Sequence, residues 1–132
     1  MASSYDIGSG RIGGFFTGGR PEVLPVLERS LEPMAGLGPF VHHDVPIVGT
    51  DNCAFMMEGV ATLVANMKTA NYGPNYPSRS ETFDKVDLEQ LRLNAAIAAA
   101  VTWGFANDDI LWRRQTRAEV QHLSTRPTSG RR

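Results

Sequence analysis

Asp87 opens the segment that most limits what this chain can fold into. With Gln90 it makes a capping-box pattern at a helix start. The alanine-rich run that follows carries charge only at Glu89 and Arg92 before Trp103. Leu88, Leu91, Ala95, Ala98 and Thr102 recur at three and four, so they are read as the packed face. Ala96, Ala99 and Ala100 are small enough to let the helix sit close to a sheet. Trp103 and Phe105, on either side of Gly104, are expected to plug the end of the core. A helix this apolar needs a sheet to cover.

Three stretches offer that sheet. Ser3 to Ile7 reads as a strand end running into a Gly8-Ser9-Gly10 turn. Arg11 to Thr17 is a weaker strand, broken by Gly18-Gly19. Val60 to Ala65 is apolar almost throughout and rich in β-branched residues, as in a strand buried on both faces. A further extended segment spans Phe40 to Val48. Between these lie a helix from Pro21 to Met34, with its prolines near the start and Val23, Leu24, Leu27 and Leu31 on one side, and a short helix from Cys53 to Glu58. Thr50 or Asp51 is placed to cap the short helix. Asn66 to Ser80 is a loop long enough to suggest a function. Strands alternating with helices argue an α/β class, here a sandwich with a mixed, mostly parallel sheet and flanking helices. Residues 1–107 form the domain, 108–122 a helical extension and 123–132 a disordered tail.

Totals exclude several classes. One domain accounts for 132 residues. The net charge of -1 provides no field for nucleic acid or an anionic membrane surface, although arginines gather towards the C-terminus. A single cysteine, Cys53, rules out an internal disulfide and a thiolate metal cluster. The first residues lack the basic and apolar regions of a signal peptide, and no apolar run approaches the roughly 20 residues of a membrane helix. The chain as it stands is therefore expected in the cytoplasm.

Two local patterns invite chemistry. Six glycines fall between Gly8 and Gly19, but a phosphate cradle should run directly into a helix. Ile12-Gly13-Gly14-Phe15-Phe16 reads as a strand instead, which favours a plain turn. His42 and Asp44 share a strand face, since neighbours alternate, and could hold zinc weakly. His43 points the other way.

The run from Val45 to Val60, with Gly49-Thr50-Asp51-Asn52 and Phe55 ahead of Gly59-Val60, resembles a segment of the co-catalytic di-zinc aminopeptidases and carboxypeptidases, the group that includes plasma glutamate carboxypeptidase. It departs at Asn52 and Ala61, where that pattern has His and Pro. Tyr76 to Asp87, with Thr82-Phe83-Asp84-Lys85-Val86-Asp87, is similar to a second segment of the family. Tyr5-Asp6-Ile7-Gly8-Ser9-Gly10 resembles the strand end and turn that supply an Asp ligand. The resemblance covers about Tyr5 to Asn107, the C-terminal portion of the family's domain.

It implies a phosphorylase/hydrolase-like α/β sandwich, peptide substrates, and two zinc ions that activate a bridging water. It also implies that most of the ligand set and the general base precede the part seen here. Asp6 stands at the family's second Asp ligand. The matching His position is Pro77, which has no side-chain donor. One carboxylate is no catalytic zinc site, which usually has three protein ligands. The expectation is a vestigial ligand at Asp6, no tightly bound zinc, no catalytic residue and no activity in the chain alone. Asp6 could equally satisfy the glycine-turn amides. A rearranged site from His42, Asp44, Asp6 or Glu81 is a weaker possibility, and a non-catalytic peptide- or protein-binding module is the main alternative. A sheet edge left open would favour self-association. Full-length relatives with a leader would be secreted or periplasmic.

Overall fold

The structure, a computed structural model, describes residues 1–125. It has the broad α/β class expected, with a small mixed sheet. Strands β1 (Ala2–Ser4), β2 (Ile12–Phe16) and β3 (Thr62–Met67) lie in the order β1-β3-β2. β1 runs parallel to β3 and β2 antiparallel to it. Val64 is the register mark: it faces Ser4 on one side and Phe16 on the other. The middle strand starts two residues later than its apolar run suggests. Its burial on both faces is as expected: Thr62, Leu63, Val64 and Ala65 are all buried.

The segment expected to be extended from Phe40 runs along the outer side of β2. Val41 N donates to Gly13 O at 2.7 Å, His43 N to Phe15 O at 2.9 Å, and Thr17 N to His43 O at 3.0 Å. The close approach explains Gly14. A Cβ there would lie 1.7 Å from the Val41 carbonyl oxygen, and its φ of +155° suits glycine.

Helices α1 (Leu24–Leu31) and α4 (Leu88–Ala106) pack on each other and share one core with the sheet. A 3-10 turn, Pro21–Val23, leads into α1, and both prolines sit in first turns, where a missing N–H costs nothing. Val23, Val26, Leu27 and Leu31 are buried. Of these, Val23, Leu27 and Leu31 join Ile12, Phe15, Leu63, Ala65, Ile97 and Val101 in the apolar centre. Each such side chain contributes about 1.5–3 kcal/mol by leaving water.

α4 differs from its sequence reading in orientation. Asp87 caps it as expected, accepting from Gln90 N at 2.9 Å. Only half of the capping box forms, because the Gln90 side chain turns to Asn94. The buried face is Asn94, Ile97 and Val101. Most of the stripe expected to pack faces outward instead: Leu91 is 54% exposed and Leu88 46%, Ala95 and Thr102 are exposed, and Ala98 is half-buried. The physical reason is polar. Asn94 donates to Gly10 O at 2.9 Å and accepts from Ile12 N at 3.1 Å, satisfying two backbone groups at the start of β2. Gly104 fixes the other end. A Cβ there would lie 1.9 Å from Ser30 Oγ, so only glycine lets α1 and α4 cross so closely. Phe105 packs against Trp112 as a core plug would, whereas Trp103 is 73% exposed.

Beyond α4 the chain returns through Gln115, whose N donates to Gly59 O at 2.8 Å, into α5 (Arg117–Thr125). The first three residues expected in the tail, 123–125, belong to this helix; the rest of the tail lies outside the described residues. Thr116 and Glu119 form a reciprocal capping box: Glu119 accepts from Thr116 N at 2.7 Å, and Thr116 Oγ1 from Glu119 N at 3.3 Å. The Arg113 guanidinium and these Thr116 bonds hold the Glu119 carboxyl down at about 2. Arg20 is 2% exposed and ties the return together. It donates to Glu22, to Gly59 O and, at 2.8 Å, to Arg113 O. Among the described residues no helix is long and apolar enough to cross a membrane.

Candidate functional site

The site begins where β1 ends. Tyr5 follows β1 and sets its ring edge-on to Phe15, 6.2 Å between centroids. Burial raises its phenol pKa, opposed by the nearby Ser3 and Thr102 side chains. The chain then turns through Gly8-Ser9-Gly10 against the end of β3, where Gly10 N donates to Lys68 O at 2.9 Å. This engages the amide a phosphate would need. The first turn of α4 nearby already carries the Asp87 carboxylate, so the glycine run is a packing turn.

The other wall is the long loop. It is more ordered than its composition suggests, because short side chains thread it. Ser9 Oγ donates to Asn71 Oδ1 at 2.8 Å, and Asn71 Nδ2 donates to Lys85 O at 2.9 Å. One asparagine thus links the glycine turn to the Phe83–Lys85 3-10 turn. Asn75 Nδ2 donates to Asn71 O, and Ser80 Oγ to Asn75 Oδ1. Helix α3 (Tyr72–Asn75) is a single turn. Across it Tyr72 and Tyr76, four residues apart on one side, stack at 4.9 Å.

Between the walls lies a cleft of about 250 Å³. Tyr5, Tyr72 and Tyr76 line it, Met67, Val86 and Leu91 give it apolar surface, and Glu81, Lys85 and Asp87 give it charge. Tyr72's phenol pKa is raised by partial desolvation, then by the neighbouring Tyr76, Asp6 and Glu81. The strand end and the loop, singled out separately in the sequence, meet here.

The sequence-chosen site residues are less well placed. Asp6 is exposed and accepts a hydrogen bond from Ser4 Oγ at 2.6 Å. Pro77 is exposed on the loop; its neighbour Tyr76 lines the cleft and Pro77 does not. The zinc pair that the resemblance implies does not fit these residues. Asp6 already has a hydroxyl partner, and Pro77 offers no side-chain donor.

His42 and Asp44 do lie on one face of their segment, but they are engaged separately. His42 stacks on Phe15 at 6.2 Å and Asp44 accepts from Thr17 Oγ1 at 2.7 Å. His43, on the other side, stacks on Phe16. Burial lowers the His42 pKa, opposed in part by Glu28. Among the described residues no three His, Cys, Asp or Glu side chains are grouped to hold a metal ion. Asn52, at the position of a family His, is buried and accepts from Thr50 Oγ1. The short helix α2 (Cys53–Met57) has no side-chain cap, contrary to expectation; Thr50 serves it through its backbone carbonyl.

Sequence reasoning passed over Asn94, Arg20 and the tyrosine pair. Only the pair left a usable signal, Tyr-x-x-x-Tyr. No family model matches the chain, and neither a curated protein nor a solved structure does.

Proposed function

We propose that this chain is the C-terminal portion of a zinc-exopeptidase-like sandwich that has no hydrolytic chemistry of its own. What supports the reading is the cleft. It joins the Tyr5 strand end to the Tyr76–Asp87 segment, two of the three stretches that resemble the family, with Asp6 the only ligand-type side chain at a family ligand position. On this reading the domain keeps the shape of a substrate cleft without the metal set that would cut a peptide bond. No zinc is held tightly, and hydrolysis requires residues that these do not include.

Turnover tests it. Purified chain with added zinc is assayed on aminoacyl and peptidyl chromogens, beside Asp6→Ala. The reading expects no rate above buffer in either protein. Zinc-dependent hydrolysis lost in Asp6→Ala would overturn it.

A second reading, a non-catalytic peptide- or protein-binding module, is favoured by one observation. Three tyrosines and three apolar side chains line the cleft beside amide groups, the mixture that suits a peptide side chain with its backbone. Strand β1, paired only with β3, leaves an edge to which an extended segment or a second copy could add. Peptide binding without turnover would distinguish this reading.

A further inference from the structure

Apart from Leu91, which also lines the cleft, the outward face of α4 is explained by neither the core nor the cleft. From Leu93 to Ala106 the helix has no charged residue, yet its Ala95, Ala99, Thr102 and Trp103 are exposed. A helix turned to water normally carries charge on that side, and a continuous apolar patch marks an interaction surface.

The order of residues along this face points to the occupant. Taken at 100° per residue, Leu88, Leu91, Ala95, Ala99, Trp103 and Ala106 fall on one broad side. Read backwards about Ile97, the same series pairs with itself: Leu88 with Ala106, Leu91 with Trp103, Ala95 with Ala99. Bulky positions in the first half meet small or flat ones in the second, and only alanine methyls stand at the centre. That is the self-complementarity a two-fold axis requires. Charge agrees. Arg92, which has no ion-pair or hydrogen-bond partner among the described residues, comes opposite the partner's Thr102–Trp103 turn. There it meets an aromatic face and the negative end of a helix dipole.

We propose that two copies of this chain associate through α4, antiparallel, with the axis at the level of Ile97. The inference rests on this face, which shares Leu91 with the cleft, and not on what the cleft binds. α4 is about 28 Å long and, with side chains, about 10 Å wide. Two facing strips of that size amount to roughly 560 Å² in total, under the standard size of a stable interface, so the contact is a transient one. The dimer is therefore weak and reversible, and it shows only as concentration rises.

The test is sedimentation velocity of the full chain from low micromolar to several hundred micromolar. The mass should rise with concentration towards twice 14.4 kDa. Ala99→Glu, an exposed substitution, should hold the chain at monomer mass with unchanged circular dichroism. Leu111→Glu, at a residue 97% exposed and off this face, should leave association as it was. Geometry is tested by mixing Ala95→Cys and Ala99→Cys chains, each also carrying Cys53→Ser. Mixed 95–99′ cross-links should form well ahead of 95–95′ and 99–99′. A monomer at every concentration, association that survives Ala99→Glu, or dominant like-with-like cross-links would each overturn the proposal. Dimers lost on changing the β1 edge rather than α4 would assign association to the sheet.

Discussion

The two sides of α4 are built from different logic. The inner side holds residues that look poorly suited to a core: a buried asparagine and a glycine in the last turn. The outer side holds the regular leucine and alanine stripe that periodicity selects. The inner side is nevertheless the anchored one, because its residues answer particular demands. Asn94 completes two backbone hydrogen bonds at the start of β2, and Gly104 makes room for Ser30. Apolar spacing says that a helix has a face to cover. It does not say which face, when two are apolar.

The sharpest way to break this contrast is Gly104→Leu. A side chain forced into Ser30 should destabilise the chain by about 3 kcal/mol, at the upper end of overpacking costs, read from urea unfolding. Asn94→Ala comes next. It leaves a buried N–H and C=O unpaired and should cost about 2 kcal/mol. If either substitution is tolerated as well as a surface change, the inner face has been misassigned.

A smaller effect concerns the sheet edge beside β2. Burial keeps His42 neutral in the folded chain, below its ordinary pKa of 6.5. Its contribution to stability is therefore whole above that value and declines as pH falls through it towards the folded pKa. The urea midpoint should drop on mild acidification, and His42→Phe should lessen the drop. Smallest of all is Leu91→Ser on the outer face. At concentrations low enough to keep the chain monomeric, it should change unfolding by under about 0.5 kcal/mol.

The same contrast explains what was legible in the sequence. The α/β class, β2, the proline-led start of α1, the Asp87 cap and the two-sided burial of β3 follow from local rules, and each is present. The orientation of α4 does not, since Asn94 finds partners 82 and 84 positions away. Arg20 is hidden for the same reason: nothing near it announces that the Arg113 carbonyl will arrive. In the site, the strand end and the loop could be singled out but not joined. Asn71 joins them through Ser9 and Lys85, a bridge of short polar side chains that no periodicity encodes.

Among the described residues the cleft's carboxylates, Glu81 and Asp87, belong to no group of three side chains that could hold a metal ion, and the proposed lack of hydrolytic chemistry rests on that. Zinc content tests this most directly. Chain equilibrated against buffered micromolar zinc should retain far less than one ion per molecule by elemental analysis, with Asp6→Ala indistinguishable from it. One or two ions per chain, held through dialysis and lost in Asp6→Ala, would contradict the account and show that Asp6 belongs to a working metal site.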